Sequence, residues 1–134
     1  MINFFVPGIP VPKGSGRAII HRHTKKAMYL PDNEKTKDWQ MDVRIIALRH
    51  KPSEVTRSKA VRVHLTFYVP RPASVSYKKR RYPIVKPDID KLSRTILDAL
   101  NGVAYVDDSQ VVCLHTRKFY GDNPGVVVAV RLFD

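Results

Sequence analysis

The sequence predicts an α+β fold: one domain over residues 1–134, with a mixed β-sheet and two α-helices packed on one of its faces. Three observations lead there. Residues 60–69 alternate, with Val61, Val63, Leu65, Phe67 and Val69 apolar, the period of a half-buried strand. Residues 32–50 and 88–100 repeat apolar side chains at three- and four-residue steps, the period of a helix. The resulting order is strand, hairpin, helix, strand, helix and further strands, which suits a layered α+β domain. A chain of 134 residues, 43% hydrophobic, is long enough to enclose one core.

The elements follow in order. Residues 2–6 form a strand, halted by the prolines of Pro7-Gly8-Ile9-Pro10-Val11-Pro12, which exclude a helix or a central strand. Lys13 to Arg17 make a basic, glycine-containing loop, and residues 17–21 and 27–30 pair as a hairpin around a polar turn. The first helix turns Trp39, Val43, Ile46 and Ala47 inward; Asp32 or Asn33 caps its start and Pro52 enforces its end. After the strand 60–69, Pro70 and Pro72 open a loop through residue 87 that carries six bases. The second helix, 88–100, presents Ile89, Leu92, Ile96, Ala99 and Leu100 to the core and stops at Asn101-Gly102. Strands are expected at 103–106, 111–119 and 126–133. Cys113, flanked by valines and a leucine, reads as a small buried hydrophobe, and one cysteine cannot build a disulfide framework, which fits a reducing cytoplasm.

Charge narrows the function. The 24 Lys and Arg against 12 Asp and Glu leave a net charge of +12, which attracts polyanions. The bases lie in loop-like stretches beside Pro and Gly, unlike the one-sided polar face of a membrane-surface helix. The apolar runs are too short and too interrupted to span a bilayer, and the N-terminus lacks the pattern of a secretory signal. Nucleic acid is therefore the expected partner, and no membrane.

Within this basic chain, Asp88, Asp90 and Asp108 need a reason to stand where phosphate should dock. A divalent cation supplies one, because it offsets repulsion between carboxylate and phosphate and activates water for attack on phosphorus. Each acid also has an ordinary reading. Asp88 after Pro87 is an N-cap, Asp90 complements the helix dipole, and Asp107-Asp108-Ser109 is a turn. Residues i and i+2 of a helix point about 200° apart. Asp88 and Asp90 can therefore converge only if Asp88 is extended and Asp90 lies in the first turn, an arrangement that Lys86-Pro87 favours. Arg94 stands four residues from both Asp90 and Asp98, as a surface ion-pair ladder or as an electrostatic partner of a scissile phosphate.

These residues carry a resemblance. Asp88-Ile-Asp90-Lys91-Leu92-Ser93-Arg94, then Asp98-Ala-Leu100, then Val106-Asp107-Asp108-Ser109-Gln110-Val111 resemble the core of RusA-type Holliday junction resolvases, with a close match over residues 86–112. The opening Gly8-Ile-Pro10-Val-Pro12-Lys13 and the Trp39 helix stand in a similar order. The resemblance implies a homodimeric, Mg²⁺-dependent endonuclease (Mn²⁺ as a substitute) that cuts four-way DNA junctions by paired nicks, typically in phages and prophages. It implies Asp88, Asp90 and Asp108 as metal-binding carboxylates, and it puts Arg94 where the family has lysine and Lys91 where it has asparagine. Arginine keeps the charge but does not readily release a proton, so a general-acid role is not transferred to Arg94. Asp107 reads as a turn residue first.

Lys78-Lys79-Arg80-Arg81, between Tyr77 and Tyr82, and Lys86 are expected to meet the DNA backbone or to be solvated; the aromatics can stack on unpaired bases. Lys13, Arg17 and Lys91, with Arg22, Lys25 and Lys26, extend that basic surface. His21 and His23 are too few ligands for zinc, and Gly14-Ser15-Gly16 lacks the continuation of a phosphate loop. Two other functions remain open: a binding module whose acids only cap and turn, and a nuclease that prefers flaps, forks or RNA.

Overall fold

A computed structural model describes residues 2–14, 17–20, 23–30, 34–50 and 57–133. The elements are β1 (Ile2–Pro7), β2 (Arg17–Ile20), β3 (Ala27–Leu30), α1 (Glu34–Arg49), β4 (Val61–Val69), α2 (Ile89–Ala99), a 3-10 turn (Asp108–Gln110), β5 (Val111–Tyr120) and β6 (Gly125–Leu132). This is the expected mixed sheet with two helices. Its strand order is β1, β6, β4, β5, and β2 and β3 form the expected hairpin, which stands as a separate two-stranded sheet. The capping reading of Asp32 and Asn33, and His21, lie outside the described residues.

The sheet has two unlike faces because period-2 alternation is kept in its central strands. Ile2, Phe4, Val6, Val61, Val63, Leu65, Phe67, Val126, Val128 and Val130 are buried on one face, against Trp39, Val43 and Ala47 of α1 and Leu92, Ile96 and Ala99 of α2. The other face carries no helix side chains in this core. β4 is parallel to β5 and antiparallel to β6, so α2 is the crossover between two parallel neighbours. β5 and β6 follow each other in sequence but flank β4 instead of pairing together.

Polar ties orient the two helices. Gln40 Nε2 donates to the Thr95 carbonyl at 3.1 Å, and Arg44 Nη1 donates to the carbonyls of Ala99 (3.0 Å) and Asn101 (2.8 Å). Arg44 thus places a cation on the unsatisfied carbonyls at the end of α2, where the dipole favours it. The proline-rich segment after β1 folds back on α1: Gly8 holds φ +132°, and a Cβ there would lie 3.0 Å from the Trp39 ring.

Two expectations are corrected. Residues 103–106 are not a strand but a tight turn with one bridge, Asn101 to Tyr105. Gly102, at φ +76°, donates its N–H to the Tyr105 carbonyl at 2.7 Å, and the buried Tyr105 hydroxyl donates to the Leu97 carbonyl at 2.6 Å. The apolar residues that suggested a strand are the anchors that pin this turn under α2. Cys113 is half-buried, not buried. It pairs with Arg62 on the sheet face opposite the helices.

Candidate active site

The start of α2 has the geometry that convergence requires. Asp88 is extended (φ −72°, ψ 142°), α2 begins at Ile89, and Asp90 sits in its first turn. Asp88 occupies the N-cap position, yet its side chain makes no capping hydrogen bond. Its described partner is Lys91 Nζ at 3.9 Å, a loose pair between exposed groups. Asp88 and Asp90 together border an open cleft of about 800 Å³ with Lys86 and Lys118. Two carboxylates are thus held facing solvent in a ring of cations.

Asp108 does not line that cleft. It is half-buried beside Asp98, the acid in the last turn of α2. Burial, then the charges of Asp107 and Asp98 and a hydrogen bond with Asp98, push its carboxyl above the usual aspartate range. Lys13 ion-pairs with Asp98, and its backbone N–H donates to the Lys91 carbonyl at 3.1 Å, which ties the proline-rich segment to α2. Among the described residues, no three His, Cys, Asp or Glu side chains stand close enough together to hold one ion. The structure therefore sets Asp88 and Asp90 on one cleft, and Asp108 beside Asp98.

Asp107 is a turn residue, as its sequence position suggested, and it caps the 3-10 turn. Its side chain accepts from the Ser109 N–H at 3.1 Å and from the Ser109 hydroxyl, and these bonds hold its carboxyl below the usual range. Gln110 completes the box: Oε1 accepts from the N–H groups of Val106 (2.9 Å) and Asp107 (3.1 Å), while Nε2 donates to the Lys59 carbonyl (2.9 Å). The glutamine of this segment is a brace that sets the position of Asp108.

Arg94 is exposed, and among the described residues no ion pair joins it to Asp90 or Asp98; Asp98 pairs with Lys13. Lys78, Lys79, Arg81 and Lys86 are exposed; Arg80 is half-buried, its Nε on the Tyr120 hydroxyl at 2.8 Å. Arg17 begins β2, and Lys91 pairs with Asp88.

Two residues of this region escaped the sequence reading as site residues. Lys118 points to the helix side of β5, and its Nζ donates to the carbonyls of Val85 (2.9 Å) and Pro87 (2.8 Å), fixing the segment that delivers Asp88. Its signal was a lysine in phase with Thr116 and the buried Tyr120. Asp98 was visible only as the end of the stripe from Asp90 through Arg94. A further tie, Ser93 Oγ to Thr116 Oγ1 at 2.9 Å, locks α2 to β5 near the same place.

A cleft bordered by Asp88, Asp90, Lys86 and Lys118 on a basic α+β chain has the character expected of a protein that acts on DNA. The chain belongs to the RusA endodeoxyribonuclease family: the family model for Endodeoxyribonuclease RusA matches residues 7–131. It is also 36% identical over 139 residues to YqaN of Bacillus subtilis (strain 168), named as an uncharacterized protein, with 97% of this chain and 95% of that one covered. Members of the family are DNA hydrolases that bind branched junctions and generally depend on a divalent metal. No helix among the described residues is long and apolar enough to cross a membrane.

Proposed function

We propose that this chain, acting as one unit over residues 1–134 and as a two-fold homodimer in the cytoplasm, resolves four-way DNA junctions by paired nicks in recombination and repair. The observation that carries the reading is the Asp88 carboxylate. It occupies a capping position without capping, open to solvent beside Asp90 and among Lys86, Lys91 and Lys118. A binding module has no use for an anion held there.

The donor set fits a hard cation of the Mg²⁺ type, which takes one or two carboxylates and leaves its other positions to water and phosphate oxygens. Asp88 and Asp90 would hold it, with Asp108 as a third ligand once released from Asp98. When bound, the ion supplies charge neutralisation at the phosphoryl oxygens and a lowered water pKa. The rest falls to the chain. Lys118 keeps the Val85–Pro87 backbone in place, so that Asp88 stays extended. Arg94, exposed on α2 four residues after Asp90, would steady charge on the phosphate without donating a proton. Lys78, Lys79, Arg81 and Lys86, all exposed, offer backbone contacts. Two equivalent sites in a dimer match two equivalent strands of a junction.

Asp88→Asn tests the assignment. Cutting of a labelled four-way junction in Mg²⁺ or Mn²⁺ should fall at least a thousandfold while junction affinity holds or rises. Undiminished cutting would reject the site, and full activity in a sedimenting monomer would reject the dimer.

A further inference from the structure

The face of the sheet turned away from both helices has a composition that the catalytic cleft does not explain. Consecutive cross-strand neighbours on β4 and β5 are Arg62 with Cys113, His64 with His115, Thr66 with Arg117, and Tyr68 with Phe119. β6 adds Arg131 opposite Arg62. The rings are ordered: His64 and His115 stack at 4.7 Å and 3°, and Tyr68 lies 6.2 Å from Phe119. Tyr82 then continues the row, 6.3 Å from Phe119. Tyr82 also borders the cleft that holds Asp88 and Asp90. One path therefore leads from Arg62 and Arg131, over the rings, to the candidate catalytic carboxylates.

Arg62 lies 5.4 Å from the Phe133 ring centre and Arg117 donates to the Thr66 hydroxyl at 3.2 Å, but the face lacks carboxylates among the described residues. None of β1, β4, β5 and β6 contains an Asp or a Glu. Among the described residues no carboxylate pairs with Arg62, Arg117 or Arg131, and Arg62 Nε is buried without a hydrogen-bond partner. His64 registers the field. Partial burial, then His115, Arg62, Arg117 and Arg131, hold its pKa below the usual histidine value. A polyanion would neutralise this charge. Rings interleaved with cations suit bases that are free to stack, which a paired duplex does not offer. From Arg62 to Tyr68 the strand covers about 20 Å, room for a few nucleotides.

We propose that the outer face of β4 and β5 is a track for a single nucleic-acid strand that continues from the cleavage cleft around Tyr82. The inference rests on the nuclease reading for what occupies the cleft, and it extends the substrates to branched DNA with an unpaired arm, such as flaps and forks.

The test uses full-length Asp88→Asn protein in EDTA, so that neither metal nor cutting enters, and fluorescence anisotropy with a labelled 20-nucleotide oligo-dT. Binding tighter than to a 20-base-pair duplex is expected. Adding Arg117→Gln and Arg131→Gln should weaken oligo-dT binding at least tenfold and reduce the salt slope by about 1.4, the value for two lost single-strand phosphate contacts. Tyr82→Ala, in an exposed loop, should weaken it at least fivefold, while Arg49→Gln on α1 should change neither quantity. Equal affinity for duplex and oligo-dT, losses no greater than with Arg49→Gln, or a changed sedimenting mass in the double variant would each overturn the track. Junction cutting by the unmutated protein is scored separately, so its failure would defeat the proposed function and leave the strand-binding result standing.

Discussion

Asp98, in the last turn of α2, stands beside Asp108, in the turn before β5, and helps raise its pKa while Lys13 pairs with Asp98. Burial, then the neighbouring carboxylates, raise the Asp108 pKa, and that shift is a statement about stability. Its contribution is complete below the unfolded aspartate value and is lost as pH rises through the higher folded value. In EDTA at neutral pH, Asp108→Asn should therefore melt higher than the unmutated protein, because an amide donates where a carboxylate repels. Added Mn²⁺ should raise the melting temperature of the unmutated protein and leave that of the variant nearly unchanged. Differential scanning fluorimetry with and without metal decides both.

Lys118→Met removes the donor to the Val85 and Pro87 carbonyls. A loss of about 1–3 kcal/mol in urea unfolding is expected for a charged donor withdrawn from the part-buried Pro87 carbonyl and the exposed Val85 carbonyl. Junction cutting should fall ten- to a hundredfold, because Asp88 loses its fixed approach to the cleft. Unchanged cutting with lowered stability would make Lys118 a purely structural residue.

Gln110→Leu leaves the N–H groups of Val106 and Asp107 and the carbonyl of Lys59 without their side-chain partner. The expected cost is about 1–3 kcal/mol. Hydrogen exchange should show faster opening confined to residues 106–110, with β4 and β6 still protected.

His64 gives a pH signature. Burial and the neighbouring His115, Arg62, Arg117 and Arg131 hold its folded pKa below 6.5, so on acidification the unfolded chain takes up its proton first. Stability from this site is intact above 6.5 and declines as pH falls toward the lowered value. His64→Gln should flatten the fall in melting temperature between about pH 7 and pH 5. A slope equal to that of the unmutated protein would show that other groups dominate.

Much of the site was legible locally. The extended Asp88, the helix beginning at Ile89 and the stop at Gly102 follow from proline, periodicity and a left-handed glycine, all acting within a few residues. The Asp107 cap and the inward row of β4 are of the same kind. The apolar run 103–106 misled because buried anchors of a turn and of a short strand have the same composition.

The sequence by itself determined the α+β class, the two helices with their buried stripes, the basic character of the chain and the family to which it belongs. Only the tertiary structure decided that β5 pairs with β4 and not with β6, that Lys118 reaches back to the segment before α2, and that Asp108 faces Asp98 while Asp88 shares a cleft with Asp90. The reason lies in range. Periodicity and capping are set by neighbours along the chain, whereas strand order and side-chain pairing across elements come from packing surfaces that meet only once the sheet has formed.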